Sequence, residues 1–359
     1  MIKFLHAADL HLGSAFASLS ETAAKQRQSE LLETANELVE LCNSRGCDLL
    51  LLAGDVCETT DAAKSLAKML AACDAEVIIA PGNHDPYGAN GPYNGIAWSD
   101  NVTIFDDTEI ARIHFPDLHC DVYGAAFLSN TAPALMEGFS VLDPNCTNLM
   151  VLHGDTEQAD SPYNPISQAQ IAASGLDYLA LGHIHSYSGS RTAGNTVYAW
   201  PGCPAGRGFD ETGAKGVILG EANRGAPLQI EFYPLSVRRY EMIDIEVGSE
   251  PLADIRAALP PDTAKDIYRI TLTGQSEPLD IRSLTSTLQP RFYQLTLRDE
   301  TVRRIDIWSG LDEDSLRGLF LRRLREQWEA TEDPQTRQIC ELAVRFGLAA
   351  LDEKEAPHL

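Results

Sequence analysis

Nowhere in the 359 residues does an apolar run approach the roughly 20 residues that a membrane span needs, so no membrane segment is expected. Basic residues are scarce, with 28 Lys and Arg against 52 Asp and Glu, a formal net charge of -24. Broad nonspecific binding to nucleic acid relies on Lys and Arg to neutralise phosphates, and this balance argues against it. The eight cysteines (Cys42, Cys47, Cys57, Cys73, Cys120, Cys146, Cys203 and Cys340) contain no C-x-x-C pair. With apolar or small neighbours they read as reduced thiols rather than a disulfide frame or a structural zinc site. Met1-Ile2-Lys3-Phe4 enters a strand candidate directly, without signal-peptide character, which sets the expectation of a cytoplasmic address.

What the chain does have is one pattern written five times. The apolar run Val77-Ile78-Ile79-Ala80 ends in Pro81-Gly82-Asn83-His84-Asp85. A buried strand that stops in a Gly turn followed by amide, imidazole and carboxylate suits chemistry better than packing. Ile2 to Ala7 runs into Asp9 and His11, and Leu49 to Ala53 into Gly54-Asp55. Leu149 to Leu152 runs into His153-Gly154-Asp155, and Tyr178 to Leu181 into Gly182-His183-Ile184-His185. The i, i+2 spacing of Asp9 with His11, and of His183 with His185, places each pair on one face if the backbone stays extended. A single histidine is ordinarily a packed or surface residue, whereas five repetitions deliver a set of carboxylate, amide and imidazole donors to one edge. That set suits Mn, Fe or Zn rather than Ca or Mg alone. Two such ions about 3.5 to 4 Å apart would clamp a phosphoryl group and hold a hydroxide for in-line attack, with one carboxylate shared between them. Asp55, alone in its motif, is the expected bridge.

The ordered series D-x-H, G-D, G-N-H-D, H-G-D and G-H-x-H resembles the calcineurin-like metallophosphoesterase superfamily. Within it the resemblance is to the SbcD and YhaO group of DNA repair exonucleases. The segments that carry it are His6-Ala7-Ala8-Asp9-Leu10-His11-Leu12-Gly13, Asp177 to His185, and Gly206-Arg207-Gly208-Phe209-Asp210-Glu211. It covers residues 1–235 well and the remainder in outline. The resemblance implies Asp9, His11, Asp55 and His185 on one metal and Asp55, Asn83, His153 and His183 on the other. It leaves His84 free to protonate the leaving oxygen, with Asp85 orienting its ring. Manganese is the ion expected first, with iron or zinc as alternatives. Also implied are a DNA substrate, an SMC-like coiled-coil ATPase as partner, and hydrolysis of phosphodiester bonds in repair; a homodimer is compatible. Glu58 stands three residues beyond Asp55, where related nucleases often carry His or Asp, which leaves the preferred substrate end open. Two alternatives remain: a small-nucleotide phosphodiesterase or phosphatase, favoured by the acidic balance, and a scaffold for the ATPase.

Taken in order, the chain alternates strand and helix to about residue 235, the signature of an α/β layered domain. The expected fold is an α/β/β/α sandwich (1–235) with a small α+β capping domain (236–310) and a C-terminal helical hairpin (311–359) open to partner docking. Helices are expected over 21–45, stopped by Gly46, over 61–72, capped by Thr60 or Asp61, and over 165–174. The loop 87–95 reads equally as a substrate contact or a connecting turn. His114 and His119 read as structural. Arg207, in a Gly and Pro loop, reads equally as a phosphate clamp and as a turn residue paired with Asp210 or Glu211. In the terminal hairpin, Leu316, Leu319, Phe320, Leu324 and Trp328 are expected on one apolar face. Ile339, Leu342, Ala343, Phe346 and Ala350 are expected on the other.

Overall fold

The computed structural model describes residues 1–222, 227–303 and 306–351. Up to residue 235 the chain runs β1 (Ile2–Ala7), α1 (Glu21–Arg45), β2 (Leu49–Leu52), α2 (Thr60–Leu70), β3 (Glu76–Ile79), β4 (Val102–Ile104), β5 (Ala111–Phe115) and β6 (Cys120–Gly124). It continues through β7 (Thr147–His153), α3 (Gln168–Ala173), β8 (Tyr178–Gly182), β9 (Arg191–Ala193), β10 (Thr196–Ala199), β11 (Gly216–Ala222) and β12 (Gln229–Pro234). Two six-stranded sheets result, ordered β12-β11-β1-β2-β3-β4 and β5-β6-β7-β8-β10-β9. β1, β2 and β3 are parallel neighbours, as are β6, β7 and β8, so within each sheet the chain leaves these strands at a common edge.

The layering follows from two-residue periodicity inside strands that have no polar face. Leu49 and Leu51 pack between the sheets with Phe4, Leu149, Val151 and Tyr178, whereas Leu50 and Leu52 point the other way onto Leu31, Leu38 and Leu66 of the helices. In the second sheet Met150, Leu152, Leu179 and Leu181 pack outward with Ile171 of α3. Strands buried on both faces read as continuous apolar runs, which is why β2 is four leucines. The helix ends follow local chemistry. Gly46, at φ 62°, takes the left-handed stop that closes α1, its N–H reaching the carbonyls of Asn43 and Cys42. α2 begins one residue earlier than expected because Thr59, not Thr60 or Asp61, is the cap, its Oγ1 accepting from the Ala62 N–H at 3.2 Å. α3 spans Gln168–Ala173, its start set by a Ser167/Gln170 capping box and its end at Ser174, whose N–H reaches the Ile171 carbonyl. All eight cysteines are free.

The next elements are β13 (Tyr240–Glu246), α4 (Pro251–Ala258), β14 (Ile267–Thr273), β15 (Gln275–Ser276), α5 (Ile281–Leu288), β16 (Gln294–Asp299) and β17 (Val302–Arg303). β13, β14 and β16 form a three-stranded sheet in that order. Two helices follow, α6 (Leu316–Glu329) and α7 (Pro334–Leu351); of the expected C-terminal segment, 352–359 lies outside the described residues. The chain divides into two compact units. One holds Met1–Ile243, Pro260–Ile270 and Ser286–Thr296; the other holds Asp244–Leu259, Thr271–Thr285 and the residues from Leu297 on.

The hairpin packs on a stripe that overlaps the expected one at Phe320 and Leu324 but is centred on Leu321 and Val344. Leu321 and Val344 are fully buried in the seam of α6 and α7, and Gly347 leaves space filled by the Phe320 ring. Leu316, Leu319, Ile339 and Phe346 are exposed. Apolar residues extend around more than one side of both helices, so periodicity alone did not select the contacting stripe; at Gly347 the missing side chain makes room for the Phe320 ring.

His6 lies inside the sandwich, fully buried, with its Nδ1 2.9 Å from the Tyr178 hydroxyl. Burial drives its pKa down from 6.5 to about 3. The unfolded chain therefore takes up a proton below pH 6.5 that the native state refuses until about pH 3. The neutral ring's stability contribution is complete above pH 6.5 and is lost on acidification, at about 1.4 kcal/mol per pH unit. His6→Gln is expected to lose about 2 kcal/mol less than the parent between pH 6.5 and 5, read from urea midpoints at each pH. Equal losses in both proteins would refute the assignment.

Candidate metal centre

The loops after β1 and β2 stay zipped beyond the strands. Asp9 N–H donates to the Gly54 carbonyl at 3.0 Å, His11 N–H to Asp55 at 2.9 Å and Leu12 N–H to Val56 at 2.9 Å. Asp9, His11 and His183 are not in the extended backbone that the i, i+2 argument assumed. Asp9, His11 and Asp55 sit at φ 54°, 46° and 52°, and His183 at φ 105°. β1 ends at Ala7 and β8 at Gly182, so each pair is aimed by a left-handed turn past the strand end rather than by the pleat.

Those turns bring Asp9, His11, Asp55 and His185 together, with one donor atom from each within 4.8 Å of the others. His11 Nε2 and His185 Nε2 approach to 3.4 Å, and His185 Nε2 stands 3.7 Å from Asp9 Oδ1. On the other side of Asp55, His153 Nε2 lies 3.0 Å from Asn83 Oδ1 and 3.5 Å from Asp55 Oδ2. His11 Nε2 is 3.8 Å from that same Oδ2, so Asp55 stands between the two groups. The His183 ring lies 5.3 Å from the His153 ring, and the His183 backbone N–H donates to both oxygens of Asp9. Close backbone contact is essential here. A Cβ on Gly54 would fall 2.5 Å from His153 Nδ1, and one on Gly82 2.4 Å from Asp55 Oδ1.

The electrostatics suit cations. Asp9 is buried, which pushes its carboxyl above the ordinary range despite nearby imidazoles. Burial pushes Asp55 the same way, but His153, His11 and the His84 N–H at 2.8 Å outweigh it and hold that carboxyl low. Burial lowers His183 to about 4, so its ring is neutral at neutral pH and its lone pair is available. His153 Nδ1 lies 3.0 Å from the Ala53 carbonyl and His185 Nδ1 2.7 Å from Glu211, which turns each Nε2 inward. Buried carboxylates facing inward imidazole nitrogens fit divalent ions.

His84 differs from the rest. It is exposed, and its ring stands edge-on to His11 at 5.0 Å. Asp85 does not orient that ring. Its Oδ1 accepts from the N–H groups of Asp55 and Gly82 at 3.0 and 2.7 Å, and its Oδ2 from Val56 and Cys57 at 2.6 and 3.2 Å and from the Tyr93 hydroxyl. A buried carboxylate takes the donors that reach it, and here the backbone of the two loops does so. Asp85 thus fixes the turn that carries His84 and the backbone that carries Asp55.

Arg207 is likewise engaged. Its Nη1 donates to Glu58 at 3.2 Å and Ser14 at 3.3 Å, and its Nη2 to Glu211 at 2.8 Å. Instead of offering a phosphate fork, the guanidinium braces Glu58, which meets His11 Nδ1 at 3.0 Å, and Glu211, which meets His185. Burial opposes the charge on Glu211, but His185 and Arg207 hold its carboxyl far below the usual range. Outside this centre, His114 pairs with Asp121 at 2.7 Å alongside Arg112. Three supporting residues escaped the sequence reading: Glu211 as the His185 partner, Tyr93 on Asp85, and Asn164, whose Nδ2 donates to the His153 carbonyl at 2.9 Å. Only Asn164 left a local signal, the turn-forming Asn-Pro pair.

The sequence profile of the calcineurin-like phosphoesterase family matches residues 2–187, more than half of the chain. The chain belongs to this family. As a calcineurin-like phosphoesterase it shares a hydrolase superfamily whose members bind divalent metals. Its similar relatives include the uncharacterized metallophosphoesterase YhaO of Bacillus subtilis, 29% identical over 62% of this chain and 58% of that protein. The DNA double-strand break repair protein Mre11 of Methanopyrus kandleri is 24% identical over 69% of this chain and 60% of its own. The matches thus span under two thirds of either relative. Among solved structures, TT1561 of Thermus thermophilus is similar over 64% of this chain and 98% of its own, at 10% identity and a TM-score of 0.38. Among the described residues no helix is long and apolar enough to cross a membrane.

Proposed function

We propose that this phosphoesterase is a phosphodiesterase acting on DNA, a repair exonuclease subunit that uses two divalent ions, manganese first and iron or zinc as alternatives. Asp9, His11, Asp55 and His185 would hold one ion, and Asp55, Asn83, His153 and His183 the other. When bound, the ions supply Lewis-acid stabilisation of the phosphoryl group and activate water for in-line displacement. The observation that carries the reading is the position of His84. Its side chain is the exposed imidazole of the cluster, the His84 backbone N–H is tied to Asp55, and the ring is free to give a proton to the leaving oxygen. Asp85 and Tyr93 hold the turn beneath it. The similarity to a protein named for double-strand break repair supports DNA as the substrate. The exposed Leu316, Leu319, Ile339 and Phe346 support docking of an SMC-like ATPase on the terminal helices.

The net charge of -24 favours a second reading, a small-nucleotide phosphodiesterase using the same residues. Hydrolysis of labelled linear duplex and single-stranded DNA with Mn²⁺ decides between them, with an EDTA control and bis-p-nitrophenyl phosphate alongside. DNA cleavage that needs Mn²⁺ supports the first reading; cleavage of the small diester alone moves the substrate to the second. Absence of hydrolysis overturns both. His84→Ala is expected to lower turnover about 10²- to 10⁴-fold while bound metal, measured by elemental analysis, stays at the parent level. Loss of metal along with activity would place His84 among the ligands instead.

A further inference from the structure

Away from the centre described above, β5 and β6 place His114 and Asp121 directly opposite each other, and β6 and β7 do the same for Asp121 and Asn148. Partners in register project to the same face of a sheet, so these three form one row across three strands. Tyr123 and Met150, further along the same face of β6 and β7, place the row on the outward side. The turn before β7 closes over it. Asn148 Nδ2 donates to the carbonyls of Asp143 and Cys146 at 3.0 and 2.9 Å. One donor atom each from His114, Asp121 and Cys146 lies within 4.8 Å of the others. Asp143 Oδ2 stands 3.5 Å from Cys146 Sγ.

Two features of the row favour a cation. Asp121 is fully buried, and Oδ1 meets a guanidinium, that of Arg112 at 2.9 Å, whose side chain is 32% exposed. A buried carboxylate requires a positive partner, and here a surface side chain supplies it. Asn148 Oδ1 is also buried, with no hydrogen-bond partner among the described residues. The two carbonyls on the other side of that amide demand its NH2 group, so the orientation is fixed and an unanswered acceptor lies in the row.

We propose that His114, Asp121 and Cys146 bind a zinc ion, with Asp143 as a fourth donor, at a site separate from the phosphoesterase centre. Imidazole nitrogen, thiolate sulfur and carboxylate oxygen are zinc donors, and a tetrahedral ion sets such atoms roughly 3.3–3.8 Å apart. Rotation of the exposed His114 ring and the half-buried Cys146 thiol supplies the adjustment. Binding releases the Cys146 Sγ proton to solvent, and the ion takes the place of the Arg112 guanidinium on Asp121. An ion here ties the edge strand β5 to the turn that feeds β7, the strand ending at His153. No sequence spacing announces the site, because its donors come from two strands and a turn.

Iodoacetamide alkylation of the full chain, read at the Cys146 peptide by mass spectrometry, tests the site. Cys146 is half-buried and the other cysteines are buried, so it reacts first. Zinc at about 10 µM is expected to slow that reaction about tenfold, because a coordinated sulfur is withdrawn from attack, whereas magnesium, a harder ion, leaves it unchanged. His114→Ala, at an exposed position of an edge strand, should abolish the protection. Arg112→Gln should lower the zinc concentration for half-protection about tenfold, because it removes the competing charge. Asp55→Ala should keep the protection, which assigns it to this site and not to the phosphoesterase centre. After dialysis against the same zinc, Cys146→Ser should hold one ion fewer per chain than the parent. The proposal is overturned if zinc leaves the Cys146 rate unchanged or slows it only in the millimolar range. It is overturned equally if His114→Ala keeps the protection, if Asp55→Ala loses it, or if Arg112→Gln weakens it or leaves it unchanged. Equal zinc content in Cys146→Ser and the parent would also overturn it.

Discussion

Asp55→Ala is expected to abolish metal-dependent hydrolysis, by at least about 10³-fold, because it removes the one carboxylate standing between the two ligand groups. Loss of a single preorganised charge-stabilising group at an active site costs ~10²–10³ in turnover, and here two cation positions would lose a shared ligand. Asp55 Oδ2 lies 3.5 Å from His153 Nε2 and 3.8 Å from His11 Nε2, while Oδ1 anchors the His84 N–H at 2.8 Å. One substitution would thus reach both proposed ion positions and the proposed proton donor. The fold should survive, because burial and the Asp55 charge both push the neighbouring Asp9 and Asp85 carboxyls up, and deletion relieves that repulsion. Thermal melts with and without Mn²⁺ separate the effects. The parent should gain about 2.7 kcal/mol at a hundredfold excess over Kd, and the variant should gain nothing. A variant that still shows the Mn²⁺-dependent shift, or keeps its hydrolysis, would refute the bridging role.

Gly182→Ala is the second large effect, and it acts on folding. An added Cβ would lie 1.8 Å from the Ala53 carbonyl oxygen and 2.9 Å from His153 Nδ1. Neither neighbour has freedom to retreat. Ala53 is held by its N–H on the Ala7 carbonyl at 2.9 Å, and Gly182 is itself paired in register with His153. Overpacking against fixed backbone commonly costs 1–3 kcal/mol and more where nothing can shift, so a loss of about 3 kcal/mol or greater is expected. Gly46→Ala is the comparison. Its φ of 62° is unfavourable for a side chain, but nothing lies within 4 Å of the new Cβ, so about 1 kcal/mol is expected. Chemical denaturation of the two variants checks the difference; similar losses would show that the close approach at Gly182 is not what matters.

The candidate ligands were legible because the chemistry of a parallel sheet edge is written locally. Each apolar run names its strand, and the polar residues that follow are carried to the edge where the strands leave the sheet. Helix stops and starts such as Gly46 were legible for the same reason. Partnerships across long sequence separations were not. Nothing near Asp85 foretells that its carboxylate will gather the N–H groups of residues 55–57, about thirty positions away, and leave the His84 ring alone. Arg207 and Glu211 are close in sequence, yet their purpose depends on His11, Glu58 and His185, which only the folded chain brings near. The stripe used by α6 was hidden for another reason. Leu316, Leu319 and Leu321 are equally apolar on paper, and only the packing of α6 against α7 decides which of them is covered.

Seven described residues other than glycine have positive φ, and four of them are candidate ligands: Asp9, His11, Asp55 and His183. Such backbone disfavours L side chains by of order 1–3 kcal/mol each, so the ion-free chain is least relaxed where it would be most useful. Glycine would adopt these turns without that penalty. Selecting this protein for heat resistance while ignoring turnover would therefore reward replacement of the residues that make it an enzyme, and a hardier descendant would tend to be an inert one.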